Sequence, residues 1–243
     1  MPVTTNAFGQ PVGAEVPNWS PPPWPGGVAL QGRFCRVEPL DPARHAEELF
    51  AADALDHDGS SWTYLPYGPF TSLDEYRAWL TDMAAGQDPC FYAIVDAATG
   101  RAVGVCSYLR IDPAAGPIEV GHLHFSPLLQ GKPAATEAMF LMMQQAFALG
   151  YRRYEWKCNS LNEPSRRAAL RLGFTYEGCF RQARIDRGRN RDTTWYSVID
   201  AEWPALKALF EQWLAPENFD EDGRQRVALS ALTASLHDAD AKA

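Results

Sequence analysis

A mixed α/β fold built on a central sheet is what this 243-residue sequence predicts, and three observations predict it. The stretch Ile118–Phe174 reads as an apolar strand (IEVGHLHFS), a polar turn (PLLQGKPAAT), a long apolar helix (EAMFLMMQQAFALG), an alternating strand (YRRYEWKCN) and a short capped helix (SLNEPSRRAALRLGF), which is a βαβα unit. The strands before it are joined by hairpin-like links, so the first half of the sheet is expected to be antiparallel. A further hairpin and a helix come after it. Together these give about seven strands.

Taken in order, residues 1–32 are rich in Pro and Gly (VPNWSPPPWPGG) and cannot form a long element. Trp19 and Trp24 are out of place in a solvated linker, so an arm lying across the domain surface is expected. Arg33–Leu40 alternates as a first strand. Asp41 then caps a helix with Pro42 in its first turn and an apolar face of Ala46, Leu49, Phe50 and Ala54. Residues 56–71 form a loop dense in aromatics, Gly and Pro. Ser72 with Glu75 is spaced as a capping box, and Tyr76, Trp79, Leu80 and Met83 recur at helical spacing after it. Strands are expected at Cys90–Asp96 and Ala102–Ile111, then Ile118–Phe125. In the next strand Tyr154, Trp156 and Cys158 alternate with Arg153, Glu155 and Lys157. Thr175–Ile185 and Thr193–Asp200 make the closing hairpin, and Trp203, Leu206, Phe210 and Trp213 mark a last amphipathic helix. The expected division is therefore an arm (1–32), one domain (33–214) and a polar tail (215–243) that is either a short docking helix or a frayed end.

Composition narrows the function. Charged residues make up 21% and apolar ones 46%, ordinary for a globular protein, and the net charge of −8 argues against non-specific nucleic-acid binding. No run of about 18 apolar residues exists, so no membrane span is expected. The five cysteines (Cys35, Cys90, Cys106, Cys158, Cys179) are odd in number, contain no CxxC and sit in apolar strand-like surroundings. They read as reduced core residues of a cytoplasmic protein.

The βαβα unit carries the chemistry. A strand feeding a loop at a helix N-terminus presents unpaired N–H groups and the positive end of the helix dipole, which together suit an anion such as a pyrophosphate. Gly131 lets the backbone approach closely, Lys132 adds a cation and Thr136 a hydroxyl. The same pattern also serves as a plain strand-to-helix turn.

The order and spacing of these motifs resemble the GNAT superfamily of acyl-CoA N-acyltransferases over roughly residues 33–200, and within it the Rim-type (ribosomal-protein N-acetyltransferase) branch. The run Gln130-Gly131-Lys132-Pro133-Ala134-Ala135 falls in register with that family's Gln/Arg-x-x-Gly-x-Gly/Ala phosphate loop, and Thr136-Glu137-Ala138 comes directly after it. Asn162-Glu163-Pro164-Ser165, Leu172-Gly173-Phe174, Glu177-Gly178 and Arg181 are similar to the second helix of the Rim-type branch and the segment after that helix. The resemblance implies a sheet with helices on both faces and acetyl transfer from acetyl-CoA to a primary amine without a metal. The acceptor is a small molecule or a protein N-terminus, and a homodimer is left open. It also implies that the backbone near His124 and Phe125 holds the pantetheine arm and thioester carbonyl, that Asn162 contacts CoA, and that Ser165 lies near the sulfur. Two positions depart from the family. Pro133 replaces the middle glycine of the phosphate loop, removing one donor, and Ala169 stands where many members carry a proton-donating tyrosine. These departures motivate the alternative of a non-catalytic acyl-CoA-binding module.

An amine must lose a proton before it attacks a thioester. Glu119, His122 and His124 are the candidate bases on the central strand, and Glu119 is favoured because family members often carry a carboxylate there. Strict alternation puts Glu119 on one face and both histidines on the other unless a bulge intervenes. Trp62, Tyr64, Tyr67 and Phe70 sit where the family builds its acceptor wall, with His122 beside them. The aromatics suit an ammonium by cation–π contact, and serve equally as a small core beneath a Pro-rich loop. Asn162, and Ser160 with Glu163, are also spaced to cap the short helix. The arginines at 181, 184, 187, 189 and 191 read as a solvated hairpin edge, one or two of them within reach of a phosphate or an acidic acceptor.

Overall fold

The structure, a computed structural model, describes residues 3–240, with side chains through residue 234. The strands are β1 (Val3–Thr5), β2 (Pro11–Gly13), β3 (Leu30–Gln31), β4 (Cys35–Pro39), β5 (Cys90–Asp96), β6 (Ala102–Leu109), β7 (Pro117–Phe125), β8 (Arg153–Asn159), β9 (Thr175–Asp186) and β10 (Arg189–Ile199). The helices are α1 (Pro42–Asp53), α2 (Leu73–Ala85), α3 (Pro133–Leu149), α4 (Glu163–Arg171), α5 (Trp203–Leu214) and α6 (Leu229–Asp240). β1 and β2 form a separate hairpin, and the other eight strands make one sheet in the order β3-β4-β5-β6-β7-β8-β10-β9. The strand beyond the expected seven is β3, whose two residues are too short to show a period.

All neighbours in the sheet are antiparallel except β7 and β8, which α3 joins as a parallel crossover. The chain passes from β8 through α4 to the edge strand β9 and returns as β10 against β8. Alternation distributes the core. Phe91, Ala93 and Val95 of β5 pack under α1 and α2 with Leu49 and Leu80, while Tyr92 and Ile94 join the larger core with α3 and α5. The N-terminal arm crosses the surface, where Trp19 Nε1 donates to the Ala114 carbonyl, and the hydroxyls of Tyr151 and Tyr92 donate to the carbonyls of Pro23 and Pro25. At the other end Leu229 of α6 is buried in the main core. Residues 241–243 of the tail lie outside the described residues.

One strand breaks the alternation. Along β6 and β7, Leu109 pairs with Glu119 and Ser107 with Gly121, but Val105 pairs with His124, so β7 holds one extra residue. His122 takes up the bulge with φ +51. Glu119, His122 and His124 therefore all turn toward the α1–α2 side: His122 packs on Tyr67 and Phe91, and His124 on Trp62.

A buried carboxylate ties the start of the sheet to α3. Glu137 accepts the backbone N–H groups of Arg33, Phe34 and Cys35 at 2.8, 2.6 and 2.8 Å. Burial, reinforced by this carboxylate, pushes the Cys35 thiol far above the usual range. Gly32 precedes the clamp because a Cβ there would lie 2.3 Å from the Glu137 carboxylate. Glu137→Ala leaves three N–H donors, one buried and two part-buried, without partners, each costing up to about 1–3 kcal/mol before relaxation. Chemical denaturation is expected to show a loss of about 3 kcal/mol or more, with a smaller loss for Glu137→Gln.

Candidate functional site

β7 and β8 pair only from Pro117 with Arg153 to Val120 with Trp156, and then separate. Beyond that point β8 is held by β10 while the bulge turns β7 away. The gap is a cavity of about 160 Å³ with Glu119, Gly121 and His122 on one side, Trp156 and Lys157 on the other, Ser61 and Tyr64 above, and Asn162 and Ser165 at its end.

Its floor is a charged ladder. Glu119, 3% exposed, meets Arg110 at 2.7 Å through one oxygen and Lys157 at 2.9 Å through the other. Lys157 also pairs with Glu155 at 2.7 Å and lies 3.6 Å above the Trp195 ring. Burial pushes the Glu119 carboxyl above its ordinary range against the pull of Lys157 and Arg110. Both cations nonetheless stay in ion-pair contact with it. His122 Nδ1 lies 2.8 Å from the Tyr67 hydroxyl, and burial, helped by Arg110 and Arg184, brings its imidazole down to about 4. His122 is thus a neutral ring in the cavity wall near neutral pH.

The far end is built by α4. Asn162 is its N-cap, accepting the Ser165 N–H at 3.2 Å, so the capping role falls to Asn162 and not to the Ser160–Glu163 pair. Ser165 Oγ accepts the Trp156 indole N–H at 3.0 Å, which leaves its own hydrogen free to donate into the cavity. Ala169 is fully buried in the core, away from the cavity lining.

A second cavity, of about 640 Å³, opens at the N-terminus of α3. Gly131, Lys132, Pro133, Ala135 and Thr136 form one wall, while Ala134 is buried behind them. Gly131 has φ +69 with open space where a Cβ would point. Gln130 turns away from the cavity to donate to the Phe125 carbonyl at 2.8 Å. The opposite wall was not expected: Arg171, which donates to Thr136 Oγ1 at 3.0 Å, and the segment 222–225 of the tail. Arg171 had a sequence signal, a cation ending the helix that closes the unit. The tail had none, because only the folded chain brings it there.

The aromatic loop divides. Tyr64 lines the central cavity and donates to the Leu161 carbonyl, and Tyr67 reaches it through His122. Trp62 is 3% exposed and, with Phe70, packs against Trp79 as a core, so neither offers a face to an acceptor in the central cavity. His124 is 2% exposed and lies outside the lining, as does Phe125. Arg184 and Arg191 do line it, while Arg187 donates to the carbonyls of Leu65, Tyr67 and Gly68 and so clamps the aromatic loop. Among the cysteines, Cys179 is exposed, because β9 is an edge strand with both faces open there. Among the described residues no helix is long and apolar enough to cross a membrane, and no group of His, Cys, Asp and Glu is placed to hold a metal.

Residues 36–175 match the model of the acetyltransferase (GNAT) domain. A GCN5-related N-acetyltransferase structure from Brucella melitensis is 47% identical, with a TM-score of 0.88 over 90% of this chain and 100% of that one. A probable GNAT-family acetyltransferase from Chromobacterium violaceum is 40% identical, with a TM-score of 0.75 over 81% and 98%. The ribosomal-protein-serine acetyltransferase of Escherichia coli is 31% identical over 102 residues, 41% of this chain and 56% of that protein.

The depressed His122 pKa has a consequence for stability. The unfolded chain takes up a proton on this ring near its ordinary value of 6.5, and the folded chain only near 4. Stability contributed by the neutral ring is therefore present above pH 6.5 and is lost as pH falls from there toward 4. Thermal unfolding scans are expected to show a shallower acid decline for His122→Gln than for the parent, the lowered pKa of buried His45 supplying part of the decline that remains.

Proposed function

This chain belongs to the GNAT acetyltransferase family, and we propose that it moves an acetyl group from acetyl-CoA to a primary amine by direct attack in the cavity between β7 and β8. The observation that carries the reading is the parting of these two strands beside Ser165, with an anion-suited helix end on the same βαβα unit.

The α3 cavity fits a pyrophosphate. In the first turn Pro133 carries no N–H and the Ala135 N–H donates to the Lys132 carbonyl at 3.1 Å, so α3 offers the anion chiefly its positive dipole end and the Ala134 N–H. Gly131 leaves room for close approach, and Lys132 and Arg171 supply cations. Gln130 braces the loop through Phe125, and Thr136 holds Arg171 in place. Acetyl-CoA supplies an activated thioester. At the cavity end, Asn162 fixes the start of α4 and Ser165 has a hydrogen to give to a developing sulfur anion. Each Glu119 oxygen already faces a cation, so its part in this proposal is to hold Lys157 and Arg110 neutralised in the floor, where they would otherwise repel an ammonium. The similarity to a ribosomal-protein-serine acetyltransferase favours a peptide N-terminal amine as acceptor over a free small amine. The cytoplasm is the proposed location, since it supplies acetyl-CoA and keeps five free cysteines reduced.

A thiol-release assay with acetyl-CoA and a panel of peptide and small amines tests the reading; saturable acetyl-CoA binding without turnover of any amine would instead make this a binding module. Ser165→Ala is expected to lower kcat about tenfold or more while leaving the KM for acetyl-CoA near its parent value, since one donor aimed at developing charge is removed. Glu119→Gln is expected to show the opposite split, raising the amine KM roughly tenfold with kcat little changed, as two floor cations lose their counter-charge.

A further inference from the structure

A polar chain, buried at His124 and Asp53 and part-buried at Ser61 and Asp56, backs the loop side of the central cavity, and neither acetyl-CoA binding nor thiolate release uses it. Ser61 donates to Asp56 Oδ2 twice, through its backbone N–H at 3.1 Å and its hydroxyl at 2.5 Å. Its oxygen also lies 2.8 Å from His124 Nε2. A carboxylate only accepts, so the single hydroxyl hydrogen belongs to the Asp56 contact and His124 Nε2 is the donor to Ser61. The other ring nitrogen, Nδ1, faces Asp53 Oδ1 at 3.3 Å, a close polar contact without hydrogen-bond geometry. Asp53 Oδ2 accepts the Tyr76 hydroxyl at 2.9 Å. Trp62 stacks on the imidazole with ring centres 3.6 Å apart, and His124 and Asp53 are 2% and 8% exposed.

This assignment leaves Ser61 with one open lone pair, and Ser61 lines the cavity in which the amine is to react. Asp53 and Asp56 line a separate cavity of about 210 Å³ with Trp62 in its wall. The two carboxylates thus connect Ser61 to a second opening. To cap the turn at Ser61, Asp56 needs only the backbone N–H. A buried His–Asp pair behind the hydroxyl adds nothing to a cap, but it does fix where the hydroxyl points. The charged and titratable groups facing His124 are Asp53 from α1, Asp56 through Ser61, and Tyr76 of α2 through Asp53.

We propose that Ser61 is the catalytic residue that takes the proton of the acceptor ammonium and that Asp56 carries it out, with His124 and Asp53 as positioning residues. An N–H bond of the ammonium breaks and its electron pair stays on nitrogen. That hydrogen bonds to Ser61 Oγ as the Ser61 hydrogen passes to Asp56 Oδ2. Asp56 then releases it to water, so Ser61 ends as a neutral hydroxyl and the amine as a free nucleophile. The proposal rests on the acetyl-transfer reading of this cavity.

The test uses the full chain, with acetyl-CoA and an amine that the parent turns over, assayed from about pH 6 to 10 to span the titration of the amine. Ser61→Ala is expected to lose roughly 10²-fold in kcat at neutral pH with acetyl-CoA affinity by calorimetry unchanged. The loss should shrink as pH approaches the pKa of the amine itself. Asp56→Asn, which keeps an oxygen for the Ser61 N–H, should show the same pH-dependent loss, and Ser61→Thr should restore most of the rate. Unchanged kcat and pH profile in Ser61→Ala and Asp56→Asn would overturn the relay. A loss equal at every pH and accompanied by a lower Tm would also overturn it, by showing a purely structural role. A parent that binds acetyl-CoA but acetylates no amine would overturn the acetyl-transfer reading and the relay with it, and is distinguished by appearing before any substitution is made.

Discussion

One extra residue in β7 is the constraint on which the rest of the site depends. A regular strand cannot turn Glu119, His122 and His124 to one face, because an odd step along the chain reverses the side. The bulge at His122 lets all three share it, and the twist it introduces parts β7 from β8. Without that parting the sheet would be continuous through the centre, and no thioester could reach between the strands. His122 is held in its left-handed conformation by the Tyr67 hydroxyl on its ring, by stacking on Tyr67 and by a tilted ring contact with Phe91, so the surrounding core maintains the local strain.

The site separates its charges by depth. The floor carries a ladder of alternating ions running from Arg110 through Glu119, Lys157 and Glu155 to Arg153 and Glu177, buried at its centre, open at its ends and mutually compensated. Buried ions of this kind contribute geometry more than stability, because desolvation offsets most of their attraction. The loop side carries the opposite arrangement, a hydroxyl and an imidazole between two carboxylates. Substrate would thus meet a neutralised floor and a loop side whose Ser61 is backed by carboxylates. That pattern suits an approaching ammonium better than the chain's overall charge of −8 does, since local groups a few ångströms away act before screening removes them.

Much of this was legible in the residues. The capping of α1 by Asp41, the Pro133 start of α3 and the two-residue alternation of β8 are local matters, set by hydrogen bonds and side-chain directions within a few residues. The Gln130–Thr136 loop could be read as an anion seat for the same reason. The aromatic loop was harder. Trp62, Tyr64, Tyr67 and Phe70 look alike in sequence, yet Tyr64 lines the cavity and Trp62 and Phe70 became core, a difference decided by what α2 brings against them. Ser61 carried no signal at all, since a serine before a tryptophan in a loop is ordinary. Its meaning comes from His124, which is 63 residues away in the chain.

Interactions of short range along the chain are enough to set the elements, their order, the family pattern and the end of α3 suited to anions, so all of these could be read from the residues alone. Packing in three dimensions settled which way the β7 side chains face, that Arg171 and the 222–225 segment wall the second cavity, and that a serine, a histidine and two aspartates lie in one line of polar contacts. A bulge is a property of paired strands and a relay is a property of contacts. Neither exists until distant segments are brought together, and the free energy that brings them together comes from the whole core rather than from the residues that do the chemistry.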